Sequence, residues 1–161
     1  MRYLRILSYI LASTSFITVI GGAVYEHLSS VPVWSSAVPA SLAMFQGEYA
    51  ITPFRFWMPI HPITVLLLLV AMVLNWKTER RKYILCTVAG YAAVLLVTFL
   101  FFVPELLAIT QSTYSSTVDA ALTNRAKTWE SLSLVRLGGM LLLAVTLLFG
   151  LSRTDSSQKF D

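Results

Sequence analysis

The sequence predicts an all-α integral membrane protein, a four-helix bundle whose helices run up-down-up-down with both termini in the cytoplasm. Three observations lead to this fold class. Only 12% of the 161 residues are charged, about half of the ~25% usual in soluble domains, and the mean hydropathy is +0.72. The apolar residues form four long runs. Finally, most lysines and arginines fall on one side of a membrane if all four runs cross it.

The four apolar runs cover residues 4–25, 59–76, 83–103 and 129–151. At a rise of about 1.5 Å per residue, the first, third and fourth are long enough to cross a hydrocarbon layer of ~30 Å. The second is shorter, so we expect it to include residues 54–58 or to lie in a thinner bilayer. These runs predict one transmembrane domain, residues 1–152, followed by a disordered cytoplasmic tail, residues 153–161.

The distribution of basic residues predicts the orientation. Of the 12 lysines and arginines, eight lie before the first run, between the second and third, or after the fourth: Arg2, Arg5, Lys77, Arg80, Arg81, Lys82, Arg153 and Lys159. The positive-inside rule places these segments in the cytoplasm. Because the basic residues are scattered among apolar runs, with no basic face, a nucleic-acid partner is excluded. The expected partners are the lipid bilayer and a small lipophilic ligand, with a homo-oligomer or a membrane partner protein as further candidates.

The two segments predicted to lie outside are long. Residues 27–58 are rich in proline and aromatic residues, so we expect them to pack against the outer surface of the bundle. Residues 105–127 are more polar and are predicted to form a loop followed by a helix that Ser116 or Thr117 caps. A helix that starts at Val118 and continues through the fourth run would be about 50 Å long.

Arg136 marks the candidate site. Trp129, Leu132 and Arg136 follow helical spacing and are predicted to share one face of the fourth helix. An arginine about two turns inside a membrane span is costly, and by default it indicates an interior polar site. The other polar residues near the outer helix ends are Tyr25, Glu26, His27, His61, Glu105 and Glu130.

Three interpretations of these residues stay open. In the first, Arg136 forms a structural ion pair with Glu26, Glu105 or Glu130. In the second, His27, His61 and a carboxylate such as Glu26 hold a metal ion, although no helix carries a HxxxH or ExxH ligand pair. In the third, the site is a metal-free pocket for a small molecule. We predict no cofactor, and we take a metal only as an alternative.

In the third interpretation, Arg136 and His61 are the catalytic residues. Arg136 would stabilise a developing oxyanion, while His61 would move a proton. Because Pro62 is the expected first residue of its helix, we expect a neutral His61 ring that accepts a proton. The predicted substrate-binding residues are Tyr25, Trp57, Trp129, Glu105 and Glu130.

Pro104 after the third run and Trp129-x-x-Leu132-x-x-x-Arg136 at the fourth resemble the anthrone oxygenase-like family of four-span membrane proteins, with Tyr25 and Pro32 as looser matches. The resemblance implies a four-helix fold and a cofactor-independent oxygenase or other oxidoreductase. It also suggests a bacterial inner (plasma) membrane protein. The family often has histidine at the position of Ser133, and asparagine shortly after the proline.

From these observations we expect the protein to bind a small lipophilic molecule, aromatic or quinone-like, near the outer leaflet. The resemblance adds to this expectation an anthrone oxygenase-like activity on the bound molecule. The alternative is a non-catalytic membrane subunit that contacts a partner protein. The chain has no GxGxxG loop, P-loop, GxSxG elbow or HExxH motif, so the sequence gives no support for nucleotide chemistry or for the common hydrolases.

Overall fold

The computed structural model describes residues 1–153. They form helices and the segments that connect them, and they contain no strand. The α-helices are α1 (Arg2–Ser29), α2 (Val31–Trp34), α3 (Phe54–Leu74), α4 (Arg81–Val97), α5 (Val103–Thr110) and α6 (Ala120–Leu151). A 3₁₀ helix covers Ala40–Phe45, and a π-helical segment, Thr98–Phe102, joins α4 to α5. The predicted all-α fold class is confirmed. Apart from Arg153, the tail predicted to be disordered lies outside the described residues.

Four helices are long and apolar enough to cross a membrane, judged by length and composition: Arg2–Ser29, Phe54–Leu74, Arg81–Thr110 and Ala120–Leu151. Four candidate spans agree with a multi-pass integral membrane protein. Many of their large apolar side chains are exposed on the bundle surface, which suits contact with lipid tails. The direction in which each helix crosses, and the cytoplasmic position of the termini, stay predictions.

Helix α3 begins at Phe54, so the second apolar run does extend through residues 54–58. His61 and Pro62 therefore lie inside the helix, and the expectation that Pro62 begins it is wrong. Pro59 and Pro62 are the sixth and ninth residues of the helix, so each removes one hydrogen bond inside it. Such prolines occur in membrane helices where neighbouring groups or water satisfy the freed carbonyls. The carbonyls left without a donor belong to Arg55 and Met58, which are exposed.

Helix α6 begins later than predicted because Asp119, rather than Ser116 or Thr117, is its N-cap. The Asp119 carboxylate accepts hydrogen bonds from the backbone N–H groups of Ala121 (2.8 Å) and Leu122 (3.0 Å). The helix then runs for 32 residues without a break, about 48 Å at the usual rise. The predicted long helix is confirmed, and the preceding non-helical segment is only residues 111–119.

Helix α1 is the centre of the bundle. Its most extensive contacts are with α3 and α6, while α4 packs mainly on α6 and less on α3. Two buried hydrogen bonds fasten α1 to its neighbours. The Ser15 and Thr64 hydroxyls are 2.7 Å apart, and Tyr9 donates its hydroxyl to the Leu147 carbonyl at 2.6 Å.

Residues 31–45, which we call the cap, pack against one end of the bundle. Trp34, Val38 and Leu42 of the cap share a buried apolar cluster with residues of the π-helical segment, α5 and α6, including Phe102 and Trp129. The Val38 carbonyl accepts a hydrogen bond from the Asp119 backbone N–H at 2.9 Å. The segment between α1 and α3 therefore lies on the bundle surface, as its composition predicted.

Candidate functional site

Arg136 lies on α6, half-buried, with its guanidinium directed at the π-helical segment. One nitrogen donates to the Thr98 hydroxyl (Nη1 to Oγ1, 3.0 Å) and the other to the Ser133 hydroxyl (Nη2 to Oγ, 2.9 Å). The guanidinium carbon lies 4.2 Å from the centre of the Phe102 ring, a geometry in which the ring face attracts the cation. The positive charge of Arg136 is therefore stabilised by two hydroxyl groups and an aromatic ring, all of them neutral.

The expected ion pair of Arg136 is not formed. Within residues 1–153, no carboxylate oxygen lies within 4.0 Å of its guanidinium. The candidate partners are engaged elsewhere: Glu105 binds Arg125, Glu130 binds Ser35 and Lys127, and Glu26 binds Trp57. Glu26 still lies within electrostatic range of Arg136, so the two interact over a distance rather than by contact.

A chain of polar contacts crosses the bundle from α1 to α4. The Trp57 indole N–H donates to Oε1 of Glu26 at 2.9 Å. The Trp57 ring stacks on the His61 imidazole, with centres 5.3 Å apart and planes 20° from parallel. Nδ1 of His61 is hydrogen-bonded to the Tyr91 hydroxyl at 2.6 Å. Tyr91 and Thr98, the hydrogen-bond partners of His61 and Arg136, are seven residues apart on one continuous helix. They share a face about two turns apart, so this chain and the arginine lie along the same face of that helix.

We call these residues the interior polar cluster, and each of the four long helices contributes to it: Glu26, Trp57, His61, Tyr91, Thr98, Ser133 and Arg136. The π-helical segment helps to build it. Thr98, its first residue, donates its hydroxyl proton to the Val94 carbonyl at 2.7 Å and accepts from Arg136. Single π turns within α-helices are often found at functional sites.

Of the five residues predicted to bind substrate, only Trp57 belongs to the cluster, and the other four include Tyr25 and Trp129. Tyr25 is 70% exposed on the outside of α1. Trp129 is buried, donates its indole N–H to the Phe102 carbonyl at 2.9 Å, and packs on Trp34 of the cap. Leu132, expected to share the inner face with Trp129, is 43% exposed; Ser133 is fully buried instead, because the buried stripe of α6 follows i, i+4 spacing from Trp129.

The acidic pair predicted for substrate binding stabilises the protein surface near the cap. Glu105 forms a two-pronged ion pair with Arg125, with both N–O distances 2.9 Å. These two residues, with Trp129, line a shallow surface depression. Glu130 accepts from the Ser35 hydroxyl at 2.6 Å and from Lys127 at 3.2 Å, so it ties the cap to α6.

The residues of the metal alternative are not brought together. In the part of the chain that the structure describes, no three histidine, cysteine, aspartate or glutamate side chains are placed to hold a metal ion. Nδ1 of His27 lies 2.9 Å from the Ala23 carbonyl of its own helix, and His61 is engaged by Tyr91. The two histidines were grouped from the sequence because His27 follows the first run and His61 lies at the start of the second, and the outer ends of the runs were expected to converge.

Three members of the cluster were missed from the sequence: Tyr91, Thr98 and Ser133. Tyr91 and Thr98 are polar residues within an apolar run, a signal that pointed to them but was not used. Ser133 is three residues before Arg136, so on a helix the two are neighbours.

No family model matches the chain, and neither does any curated protein or solved structure.

Proposed function

We propose that the protein binds a small lipophilic molecule, aromatic or quinone-like, at the interior polar cluster. The observation that carries this proposal is the state of Arg136. Its cation is held among apolar helices by two hydroxyls and an aromatic ring, with no carboxylate in contact among the described residues. A guanidinium has five N–H donors, so an oxygen-bearing ligand would find donors that the protein leaves unused.

The surroundings favour a lipophilic ligand. His61 and Arg136 are only half-buried, so they reach the bundle surface. Around them the surface is apolar: Met58 on α3 and Val135 on α6 are more than 70% exposed. If these helices span the bilayer, a molecule dissolved among the lipid tails has the shortest path to the cluster. By the predicted orientation this occurs in the outer leaflet.

Aromatic side chains on both sides of the cluster favour a flat ligand. Trp57 stacks on His61, and Phe102 covers one face of Arg136. Rings of this kind pack on other rings in offset or edge-on geometry, with a gain beyond the burial of area. An aromatic ketone or quinone combines such a face with oxygen atoms that accept hydrogen bonds.

The resemblance to anthrone oxygenases extends the proposal to a reaction. In that reaction the ring CH₂ of a cyclic aryl ketone becomes C=O. Molecular oxygen is the oxidant: one of its atoms enters the carbonyl, and the other leaves as water with the two hydrogens. The acidic C–H proton of the substrate is lost to hydroxide from the solvent, and Arg136 would stabilise the resulting enolate oxygen. Oxygen uptake by purified protein with anthrone as substrate tests this step.

Native mass spectrometry with elemental analysis of gently purified protein tests the binding proposal. We expect a bound small molecule in the parent protein and its loss in Arg136→Gln. Arg125→Gln is the matched control, because Arg125 is on the same helix but lies outside the cluster. Titration with ubiquinone-1, followed by tryptophan fluorescence, should give binding to the parent and the control only. Equal binding by Arg136→Gln would refute the proposal.

A second candidate function, an interaction subunit, is favoured by one observation. Apolar and aromatic side chains are exposed near the cap, including Tyr25, Leu28 and Tyr49. Exposed apolar groups of this kind suit a partner protein. Charged substitutions such as Leu28→Glu and Tyr49→Glu would then abolish complex formation in the native membrane while leaving ubiquinone-1 binding unchanged.

A further inference from the structure

The two histidines have different hydrogen-bond partners at the same ring atom. Nδ1 of His27 lies 2.9 Å from the Ala23 carbonyl oxygen. A carbonyl only accepts, so Nδ1 of His27 must carry a proton. Nδ1 of His61 lies 2.6 Å from the Tyr91 hydroxyl, which can donate or accept. Which ring nitrogen of His61 carries the proton therefore depends on whether the Tyr91 hydroxyl donates or accepts this hydrogen bond.

The hydroxyl proton of Tyr91 has one available acceptor. Its side chain is 1% exposed, and among the described residues the hydroxyl has no hydrogen-bond partner besides His61. A buried O–H without an acceptor is costly, so the proton of Tyr91 points to Nδ1 of His61. That nitrogen then accepts. A neutral imidazole has a single N–H, so the proton of His61 is on Nε2.

The neutral form of His61 is the relevant one because Arg136 is nearby. Arg136 is permanently charged and lies within electrostatic range of His61. A second cation in the same apolar region would be repelled. Within residues 1–153, Nε2 of His61 forms no hydrogen bond, and Arg136 donates only two, to Thr98 and Ser133. Both groups thus present free N–H donors.

We infer that Tyr91 fixes His61 as a hydrogen-bond donor, in place of the proton acceptor predicted from the sequence, and that His61 and Arg136 together bind the carbonyl oxygens of a neutral aromatic ketone or quinone. This inference rests on the proposed function and names its ligand class. A pair of donors matches a quinone, whose oxygens only accept. The corresponding hydroquinone brings two O–H groups that need acceptors, and it suits this pair less well. Tyr91 acts as a positioning residue.

The proton positions are tested without any ligand, by ¹⁵N NMR of protein labelled at histidine. Protonated and unprotonated ring nitrogens give well-separated signals, and His27→Asn assigns the two residues. We expect the proton on Nδ1 in His27 and on Nε2 in His61. In Tyr91→Phe the His61 preference should be lost, while His27 is unchanged. A proton on Nδ1 of His61 in the parent protein would overturn the inference.

Ligand class is tested by titrating the same variants with ubiquinone-1 and with its hydroquinone. We expect tighter binding of the quinone, and a Kd for it about tenfold higher in Tyr91→Phe, equivalent to one well-placed hydrogen bond. Tyr83→Phe, at the other end of α4, is the control and should bind like the parent. Preference for the hydroquinone, or an unchanged Kd in Tyr91→Phe, would contradict the inference.

The two levels of failure can be told apart. If Arg136→Gln abolishes quinone binding but Tyr91→Phe changes neither the His61 signals nor the Kd, the proposed function holds and the inference about Tyr91 fails. If no quinone binds in an Arg136-dependent manner, the proposed function fails, whatever the NMR shows. Because the proton positions are measured in ligand-free protein, that result does not depend on choosing the right ligand.

Discussion

Gly150 of α6 lies so close to Tyr83 of α4 that a Cβ atom built on the glycine would come 2.6 Å from the Cβ of Tyr83. The Tyr83 Cβ is attached to the backbone of a helix and cannot turn away. The same Cβ would also collide with the Tyr9 hydroxyl of α1. Glycine is therefore required here for the close approach of three helices.

Gly150→Ala should destabilise the protein by about 2 kcal/mol, because the extra methyl group forces the helices apart. Thermal unfolding of the detergent-solubilised protein measures the effect. Gly138→Ala is the matched control on the same helix: no atom lies within 4 Å of its added Cβ, and alanine favours helix over glycine. If both variants melted at the same temperature, the requirement for glycine at position 150 would be contradicted.

Trp57→Phe keeps an aromatic ring but removes the only hydrogen-bond donor to the Glu26 carboxylate among the described residues. We expect a loss of stability of about 1 kcal/mol from the unpaired acceptor, together with weaker ubiquinone-1 binding. Trp76→Phe is the comparison, since Trp76 is exposed just beyond the other end of α3 and its indole N–H makes no hydrogen bond within residues 1–153. A similar loss in both variants would show that the Glu26 bond contributes nothing.

Asp119→Ala removes the N-cap of α6 and should cost about 1 kcal/mol. Asp119→Asn retains an oxygen that can accept from Ala121 and Leu122, so it should lose much less. Hydrogen exchange of the first turn of α6 is the direct measurement, because unsatisfied N–H groups exchange faster. Equal protection in all three proteins would contradict the assignment of Asp119 as the cap.

The orientation is tested by cysteine labelling. Cys86, the only cysteine, is exposed on the bundle surface, so Cys86→Ser provides the background. A cysteine introduced at Glu79, between α3 and α4, should resist a membrane-impermeant reagent added to intact cells, since the positive-inside rule places it in the cytoplasm. A cysteine at Tyr49 should react. Labelling at position 79 from outside would reverse the predicted topology.

Hydrophobicity was sufficient to predict the four long apolar helices. The four apolar runs correspond to four helices because a span needs about 20 apolar residues and little else. Helix ends were harder. Pro62 was read as a helix start, yet it is the ninth residue of α3, which begins at Phe54; prolines inside membrane helices are common enough that proline alone does not mark a start. Ser116 or Thr117 was predicted as the cap of α6, but Asp119 is an equally suitable residue type, and it is the one used.

The candidate site was predicted in part. Arg136 was selected because charged residues are rare inside membrane spans, and His61, Trp57 and Glu26 because they lie near the outer ends of the predicted spans. All four belong to the interior polar cluster. Their partners could not be derived, since they depend on helix rotation. A shift of one residue along α6 exchanges Leu132 for Ser133 on the inner face, and the sequence pattern did not resolve that shift.

The π-helical segment makes the packing of α5 on α6 sensitive to chain length. A π turn contains one residue more than the α turn it replaces. Deleting one residue from Thr98–Phe102 would restore α-helical spacing and rotate everything beyond it by about 100°. Tyr91 and His61 would keep their bond, whereas the Phe102 carbonyl would turn away from Trp129 and Glu105 away from Arg125. A homologue one residue shorter here would therefore lose the contacts of Phe102 and α5 with α6 without a single substitution.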